Sequence, residues 1–577
     1  MINKKWQLRP PLPADTLAQR LRNEPISIYQ RGSQTVKQQE VTPMLVQLLH
    51  NRGITDPAHF ESYLNADEKL THSPALLPDI DKAVARILQA VLGNELVAIY
   101  GDFDADGITA TVLLAQGISY LGGHTVTYIP HRSEEGHGLN RPALNNLKEQ
   151  GVSLIITVDC GITGYAEAQY GREIGLDIII TDHHIALDKT PPSLAAIDPK
   201  LPDATYPFCE LSGVGVAFKL LQALFQATHK NEGLEEALDL VVLGTVADMV
   251  PLQGENRYLV KQGLEVLNKS QRIGVQELVL SAGLEMGRIT TENISYLLAP
   301  RLNASGRLDH AITSYELLET SSREEARRLA ATLEFNNSER QRLTAELFAR
   351  AKESLLVDGR AQPLLMISGP EYPSGIAGVV SGKLVDEFYR PSIVVQVEGD
   401  TAKGSARSIP EFNLVAAFTE CQDLFSRFGG HHQAAGFVMP RDNVEQLYRR
   451  LLEIAERELS SIDLQPAISI DAAIPLSKLN GTTYKLINML EPFGQANQPP
   501  VFLSQNVKLL DSRRIGSNKD HLKLKLRDGT ITWDAIAFDL GNEVLSPYID
   551  IVYNLKADSW GGKHTLGLNI LDFVPSV

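Results

Sequence analysis

Four short segments of this chain concentrate residue types that bind metal ions: Gly101-Asp102-Phe103-Asp104-Ala105-Asp106-Gly107, Val158-Asp159-Cys160-Gly161, Thr181-Asp182-His183-His184 and Thr245-Val246-Ala247-Asp248. Three of them end an apolar, β-branched run: Leu96-Val97-Ala98-Ile99-Tyr100, Leu154-Ile155-Ile156-Thr157-Val158 and Ile178-Ile179-Ile180. Short apolar runs between turn signals read as buried parallel strands. In a parallel α/β sheet the carboxyl ends of the strands line the ligand crevice. Acids and imidazoles far apart in sequence would then converge on one edge. So many anions need cations beside them, and two divalent ions would satisfy them.

The spacing narrows the chemistry. Asp102, Asp104 and Asp106 alternate and end in Gly107, the opening of a calcium loop. That loop needs a glutamate five residues after the glycine, and Val112 stands there. By itself the motif reads equally well as a capping loop with surface acids. Asp159 alone reads as a turn residue, and Asp248 as a helix cap. Adjacent histidines at a strand end cannot both face the core, and imidazole suits manganese-like metals. Taken together, the four segments point to metal. Mixed Asp and His ligands without thiolate favour Mn²⁺ or Mg²⁺ over structural zinc. Two such ions about 3.5–4 Å apart can activate water and stabilise the leaving oxygen in phosphoryl hydrolysis. That chemistry needs no protein nucleophile, and no obvious Ser-His-Asp or Cys-His set is present.

The elements that must hold these residues divide the chain into five parts. Residues 1–78 read as an N-terminal helical segment, with Thr55 or Asp56 capping a helix and Pro57 near its first position. Residues 79–320 alternate strand and helix signals, as in a parallel sheet covered on both faces. No Gly or Pro interrupts Ser321 to Leu356, so one long helix is expected through residues 321–357. Its polar Asn336-Asn337-Ser338-Glu339-Arg340 centre suits a helix bridging two domains. A second α/β unit follows at 358–460, after the Asp358-Gly359 turn. Residues 461–577 read as all-β, a small barrel of about five strands with Asp528-Gly529 as a hairpin turn.

The 577 residues are 43% hydrophobic and 21% charged, as in ordinary soluble globular proteins. Three scattered cysteines exclude a disulfide framework and suit a reducing cytoplasm. Cys160 reads as a small buried residue beside the site. No apolar run is long enough to span a membrane, and the basic N-terminus lacks the apolar region of a signal peptide. A net charge of −16 disfavours broad coating of a duplex. It is compatible with a narrow channel in which local basic groups meet phosphates.

Asp-x-Asp-Ala-Asp-Gly, Val-Asp-Cys-Gly and Asp-His-His, in this order, resemble the DHH phosphoesterase superfamily. Arg301-Leu302-Asn303-Ala304-Ser305-Gly306-Arg307 and the long helix narrow the resemblance to the RecJ single-strand-specific exonucleases, from about residue 45 to 577. The resemblance implies a parallel-sheet DHH domain, a DHHA1-like second α/β domain and an OB-like C-terminal barrel. It implies 5′-to-3′ degradation of single-stranded DNA to 5′-mononucleotides with two Mn²⁺ or Mg²⁺ ions, in DNA repair and recombination. It places Asp102, Asp104, Asp106, Asp159, His183 and Asp248 around the metals, with Asp159 bridging and His184 as a phosphate contact or supporting group. Ser405, Arg407 and His431, in Gly404-Ser405-Ala406-Arg407 and Phe428-Gly429-Gly430-His431, would hold a terminal phosphate, with Arg132 at the 5′ end. Arg301 and Asn303 would lie near the scissile phosphate. Arg513, Arg514, Lys519, Lys523, Lys525 and Trp533 are candidates for gripping the strand in the barrel. A monomer working with a RecQ-type helicase and a single-strand-binding protein is expected.

Three positions depart from the family pattern. Tyr372-Pro373-Ser374-Gly375 replaces Trp-His-x-Gly, His137 stands where Tyr is common in Glu-Gly-Tyr-Gly-Leu, and Ala496 replaces a Gly. Two other readings remain. One is a DHH phosphodiesterase acting on short oligonucleotides or cyclic dinucleotides. The other is a catalytically silent DNA-binding subunit, like the eukaryotic replicative-helicase component that shares the fold.

Overall fold

The computed structural model describes the chain except residues 1–3, 22–24, 30–35, 133, 187–188, 231, 358–359, 517, 561–562 and 577. The Asp358-Gly359 turn lies outside the described residues. Two compact units form. One comprises 72–250 and 262–466; the other comprises 4–71, 251–261 and 467–577.

In the first unit the apolar runs become strands β1 (Leu96–Tyr100), β2 (His124–Tyr128), β3 (Val152–Val158), β4 (Asp177–Thr181) and β5 (Ala195–Ile197). They form one sheet in the order β2-β1-β3-β4-β5, parallel throughout. Ile155, Ile156, Ile178, Ile179 and Ile180 are buried, as a sheet covered on both faces requires. Helix α1 (Ala105–Tyr120) follows β1 and packs on α2 (Gly213–Thr228) and α3 (Leu238–Ala247). It begins three residues before the apolar pattern does, because Asp104 caps it. Helix α4 (Ala299–Leu308) carries the Arg301–Arg307 motif.

The uninterrupted helix expected from the missing Gly and Pro is α5, Arg323–Leu355. Beyond it lies a second sheet of β6 (Leu365–Gly369), β7 (Ser392–Glu398), β8 (Thr401–Arg407), β9 (Arg427–His431) and β10 (Ala434–Pro440). Their order is β6-β7-β8-β10-β9, parallel at β6–β7 and antiparallel elsewhere. Helix α6 (Ser374–Phe388) starts at the Gly-spaced segment and packs against β7, β8 and α5. Gly375 is required there, because a Cβ would lie 2.1 Å from the Arg307 carbonyl oxygen.

The second unit holds β11 (Phe502–Ile515), β12 (His521–Asp528), β13 (Ile531–Ala537), β14 (Tyr548–Trp560) and β15 (Lys563–Pro575). They run β11-β12-β13-β15-β14, and β14 pairs back with β11, so the barrel closes. Closure removes the exposed edges of an open sheet. Two sequence expectations change here. Residues 4–71 do not stand alone: Leu45, Leu48, Leu49 and Phe60 share one hydrophobic core with Phe502, Leu524 and Trp533. They also supply strands, Lys5–Leu8 beside Ala467–Ile470 and an Ile26–Tyr29/Val36–Gln39 hairpin. Trp533 is not a free stacking surface. It is buried in the barrel, and its Nε1 donates to the Leu476 carbonyl at 3.3 Å.

Ala496, the departure from glycine, sits at φ 59°. An L-residue there costs roughly 1–2 kcal/mol, while glycine loses about 0.5–1 kcal/mol more chain entropy on folding. Ala496→Gly is therefore expected to stabilise the barrel unit by up to about 1 kcal/mol, read as a rightward shift of its urea midpoint. A lower midpoint would refute the strain argument.

Candidate metal centre

Each acid reaches the same sheet edge by a local device. Asp104 caps α1, its Oδ1 accepting the N–H of Asp106 at 3.0 Å and of Gly107 at 3.2 Å. Gly107 lets the helix close on the preceding turn, since a Cβ would lie 2.7 Å from Asp102 Cβ. Asp106 is buried in the first turn of α1 and accepts the N–H groups of Gly213 (2.6 Å) and Val214 (2.9 Å) at the start of α2. Asp159 follows β3 at φ 60°, its N–H donating to Thr181 at 3.0 Å. Asp248 closes the C-terminus of α3. His183 follows β4, its Nε2 standing 3.1 Å from Asp159 Oδ1 and 3.6 Å from Asp248 Oδ2.

The six residues expected around the metals thus come together. Ligand-type atoms of Asp102, Asp104 and Asp159 lie within 4.8 Å of one another, as do those of Asp106, His183 and Asp248, and those of Asp159, His183 and His184. Asp159 belongs to two of these groups. Asp102 Oδ1, Asp159 Oδ1, Asp248 Oδ2 and both His183 ring nitrogens are buried without a hydrogen-bond partner. Native proteins leave few such groups unpaired. Orphaned oxygens and imidazole nitrogens gathered this closely fit hard or borderline divalent cations.

The electrostatics agree. Burial, then Asp102 and Asp248, raises Asp104 to about 6. Burial and neighbouring carboxylates push Asp106 and Asp159 well above the usual range. Burial likewise lowers His183, favouring the neutral imidazole a metal needs. Cys160 is buried, with its thiol pushed upward by burial; it packs beside the site, as expected.

Some participants were not assigned from sequence. Asp182 accepts the N–H groups of Ile162 (2.9 Å), His183 (2.8 Å) and His184 (3.2 Å), and pairs with His184 Nδ1 at 2.7 Å. It holds both histidines in place, and those hydrogen bonds outweigh burial to depress its pKa. His137 Nδ1 stands 3.2 Å from Asp102 Oδ1, with Gly136 and Gly138 both at φ 83° bending the loop that presents it.

The expected phosphate contacts fall into two sets. Arg132 lies over the Phe103 ring at 4.6 Å. Burial, then Arg132, Arg340 and Arg407, lowers Arg307 to about 9, with Asp104 acting in the opposite direction. Arg132, Arg340 and Arg407 thus all act on Arg307, and none of the four forms an ion pair with a described carboxylate. Ser405 and Arg407 lie on β8 beside α6, where a Cβ on Gly378 would approach both. His431 is exposed at the end of β9. Arg301 and Asn303 are already engaged. Arg301 pairs with Glu334 at 2.5 Å and donates to the Leu297 carbonyl, and Asn303 Oδ1 accepts the Ala105 N–H at 2.7 Å.

The comparisons follow this division. The DHH family N-terminal domain matches residues 96–245, the DHHA1 domain 361–460 and the RecJ OB domain 470–572. The chain is 38% identical over 542 residues to the single-stranded-DNA-specific exonuclease RecJ of Bacillus subtilis, covering 93% of this chain and 68% of that one. Its counterpart in Haemophilus influenzae is 32% identical, covering 93% and 96%. The chain belongs to the RecJ family. A crystal structure of RecJ from Thermus thermophilus in complex with Mn²⁺ superposes with a TM-score of 0.83 at 26% identity, covering 99% of this chain and 80% of that one. A Mg²⁺ complex of the same RecJ gives 0.77. This RecJ-family chain is thus a metal-dependent phosphodiesterase in fold and donor set.

The site tolerates little extra volume. A Cβ on Gly213 would lie 2.5 Å from Asp159 Oδ1. Gly213→Ala is expected to displace Asp159 and lower kcat on the order of 10²-fold, the cost of about 1 Å of misplacement. Activity within threefold of wild type in a Mn²⁺ assay would show that the cradle yields freely.

Proposed function

We propose that this chain is a single-stranded-DNA-specific exonuclease that works from the 5′ end, releases 5′-mononucleotides and serves DNA repair and recombination in the cytoplasm. The observation carrying this is Asp159, shared by a carboxylate group with Asp102 and Asp104 and a mixed group with His183 and His184. Asp102, Asp104, Asp106, Asp159, His183 and Asp248 would hold two Mn²⁺ or Mg²⁺ ions. When bound, such ions supply an activated water and charge stabilisation for in-line displacement at phosphorus.

The chain's own residues do the rest. Asp182 fixes His184 through Nδ1, leaving its other ring nitrogen for a phosphate oxygen. Arg307 and Arg132 offset charge on the reacting phosphate, in surroundings where guanidinium–phosphate bonds are strong. Ser405, Arg407 and His431 hold the terminal phosphate and so set the cut one nucleotide in. Arg301 and Asn303 act indirectly by tying α4 to α5 and to the first turn of α1. In the barrel, Arg513, Arg514, Lys519 and Lys525 are exposed and Lys523 is half-buried; these cations would track the incoming backbone. A monomer supplied with substrate by a RecQ-type helicase and a single-strand-binding protein fits this arrangement. Among the described residues, no helix is long and apolar enough to cross a membrane. The barrel argues against a small-substrate phosphodiesterase, and the complete donor set against a silent subunit.

The test is incubation with Mn²⁺ and single-stranded DNA labelled at either end, with duplex and RNA controls and an Asp159→Ala variant. Mononucleotides released from the 5′ end by wild type alone would bear the reading out. Hydrolysis of dinucleotides without cleavage of long DNA would replace it with the small-substrate reading.

A further inference from the structure

The connecting helix α5 carries an unusual stripe. Asn336 Nδ2, Arg340 Nε and Thr344 Oγ1 are all buried and all lack a hydrogen-bond partner. Residues four apart share one face of a helix, so the three atoms form a row about 12 Å long at 1.5 Å per residue. Orphaned buried polar atoms are uncommon because each costs about 1–3 kcal/mol. Three in register on one helix face point to a ligand that accepts hydrogen bonds.

The surroundings identify its chemistry. Arg340 is braced by Asn337, whose Oδ1 accepts from Nη2 at 2.9 Å and which is itself 1% exposed. That brace leaves Nε free. Helix α5 packs on α4, which ends beside Arg307, and on α6, which starts at Ser374. The stripe therefore lies on the helix beside Arg307 and Gly375, near arginines that form no ion pair with a described carboxylate, Asp104 being the acid that acts on Arg132 and Arg307 from nearby. A chain of net charge −16 that gathers four guanidinium groups in one place is built for an anion there. Hydrogen-bond donors in a row beside arginines suit phosphate oxygens.

We propose that Asn336, Arg340 and Thr344 form a phosphate subsite on the connecting helix that holds the substrate strand next to the arginine cluster. The proposal rests on the nuclease reading and adds residues that the family motifs did not mark. Two sources share the chemistry, the 5′-terminal phosphate and an internal phosphodiester. Arg340 acts as a binding residue, with Thr344 and Asn336 fixing the orientation of the anion.

The test measures binding of fluorescent single-stranded DNA, with 5′-phosphate or 5′-hydroxyl ends, to the full chain in EDTA across a salt series. Wild type is compared with Arg340→Gln, Arg340→Lys and Thr344→Val, and thermal unfolding shows that each variant is folded. Arg340→Gln is expected to weaken binding about tenfold and to reduce the log–log salt slope by about 0.7, one phosphate contact on a single strand. Arg340→Lys should restore the slope, and Thr344→Val should weaken binding with the slope intact. In Mn²⁺, Arg340→Gln should raise KM more than it lowers kcat. A loss confined to 5′-phosphorylated DNA assigns the terminal phosphate, and a loss with both ends assigns an internal one. Unchanged affinity and slope in Arg340→Gln, or weakened affinity with an unchanged slope that Lys does not rescue, overturns the subsite. Wild type that neither binds single-stranded DNA at low salt nor degrades it in Mn²⁺ would overturn the nuclease reading itself.

Discussion

Asp159→Asn is expected to lower kcat on the order of 10³-fold or more, about 4 kcal/mol of transition-state stabilisation, while making the metal-free protein more stable at pH 8. Both effects follow from one geometry. Asp159 belongs to two of the candidate ligand groups, so losing its charge weakens cation binding at both. Without metal, the same carboxylate is buried among Asp106, Asp104, Asp248 and Asp102, and its ionised form is disfavoured.

The sign follows from linkage. A carboxyl whose folded pKa is raised contributes its full stability below the unfolded value, near 3.9 for Asp. That contribution is lost as pH rises through the folded pKa, which is about 6 for Asp104. The metal-free wild type should therefore lose stability from this cluster as pH rises from about 4, through about 6 for Asp104 and beyond it for the more strongly raised Asp106 and Asp159, and Asp159→Asn should lose less. Asp182 works the other way: its depressed pKa contributes stability at neutral pH that is lost in acid. Comparing melting curves with and without Mn²⁺ isolates the cluster. The Mn²⁺-induced shift should grow from pH 5 to pH 8 in wild type, toward about 5 °C at 100-fold excess over Kd, and nearly vanish in Asp159→Asn. A full Mn²⁺ shift in the variant would remove Asp159 from the metal site.

Arg257→Met is expected to cost the barrel unit about 1–3 kcal/mol. Arg257 is fully buried and forms no ion pair with a carboxylate among the described residues, and burial pulls its pKa down to about 10 against the nearby Glu491 charge. Its guanidinium donates to the carbonyls of Tyr63 (2.8 Å), Leu490 (3.0 Å) and Glu491 (2.7 Å) and lies 4.0 Å over the Tyr63 ring. One side chain thus joins segment 251–261 to both the N-terminal and C-terminal parts of its unit. Met fills similar space but leaves the Glu491 carbonyl unpaired, whereas Leu490 keeps the Asn497 amide at 2.9 Å. Urea unfolding followed by tryptophan fluorescence would read the change, since Trp6, Trp533 and Trp560 all belong to this unit. A loss below 1 kcal/mol would mean that water replaces the guanidinium.

The chemistry was legible in sequence wherever local spacing dictates it. Strands β1, β3 and β4 show as apolar runs because both faces are covered, and the acids at their ends must meet at the sheet edge. Helix α5 shows because nothing in 33 residues breaks it. The closing strand β15 was not singled out, since its alternation is interrupted by small and polar residues.

Other features were decided only by packing between distant segments. Asp106 meets the N–H groups of Gly213 and Val214 across more than 100 residues, and no local pattern announces a backbone partner. Arg301 and Trp533 carry functional residue types, but the tertiary structure spends one on Glu334 and the other in the barrel core. Residues 4–71 look like a separate helical piece, yet their apolar faces are too small to fold alone and are completed by the barrel. Sequence by itself determined the acid- and histidine-rich segments, the family and the order of the elements, because these depend on residue type and near-neighbour spacing. Which donors stay unpaired, and therefore which are left for metal and phosphate, was decided by the tertiary structure, since satisfaction of a buried polar group depends on everything that packs around it.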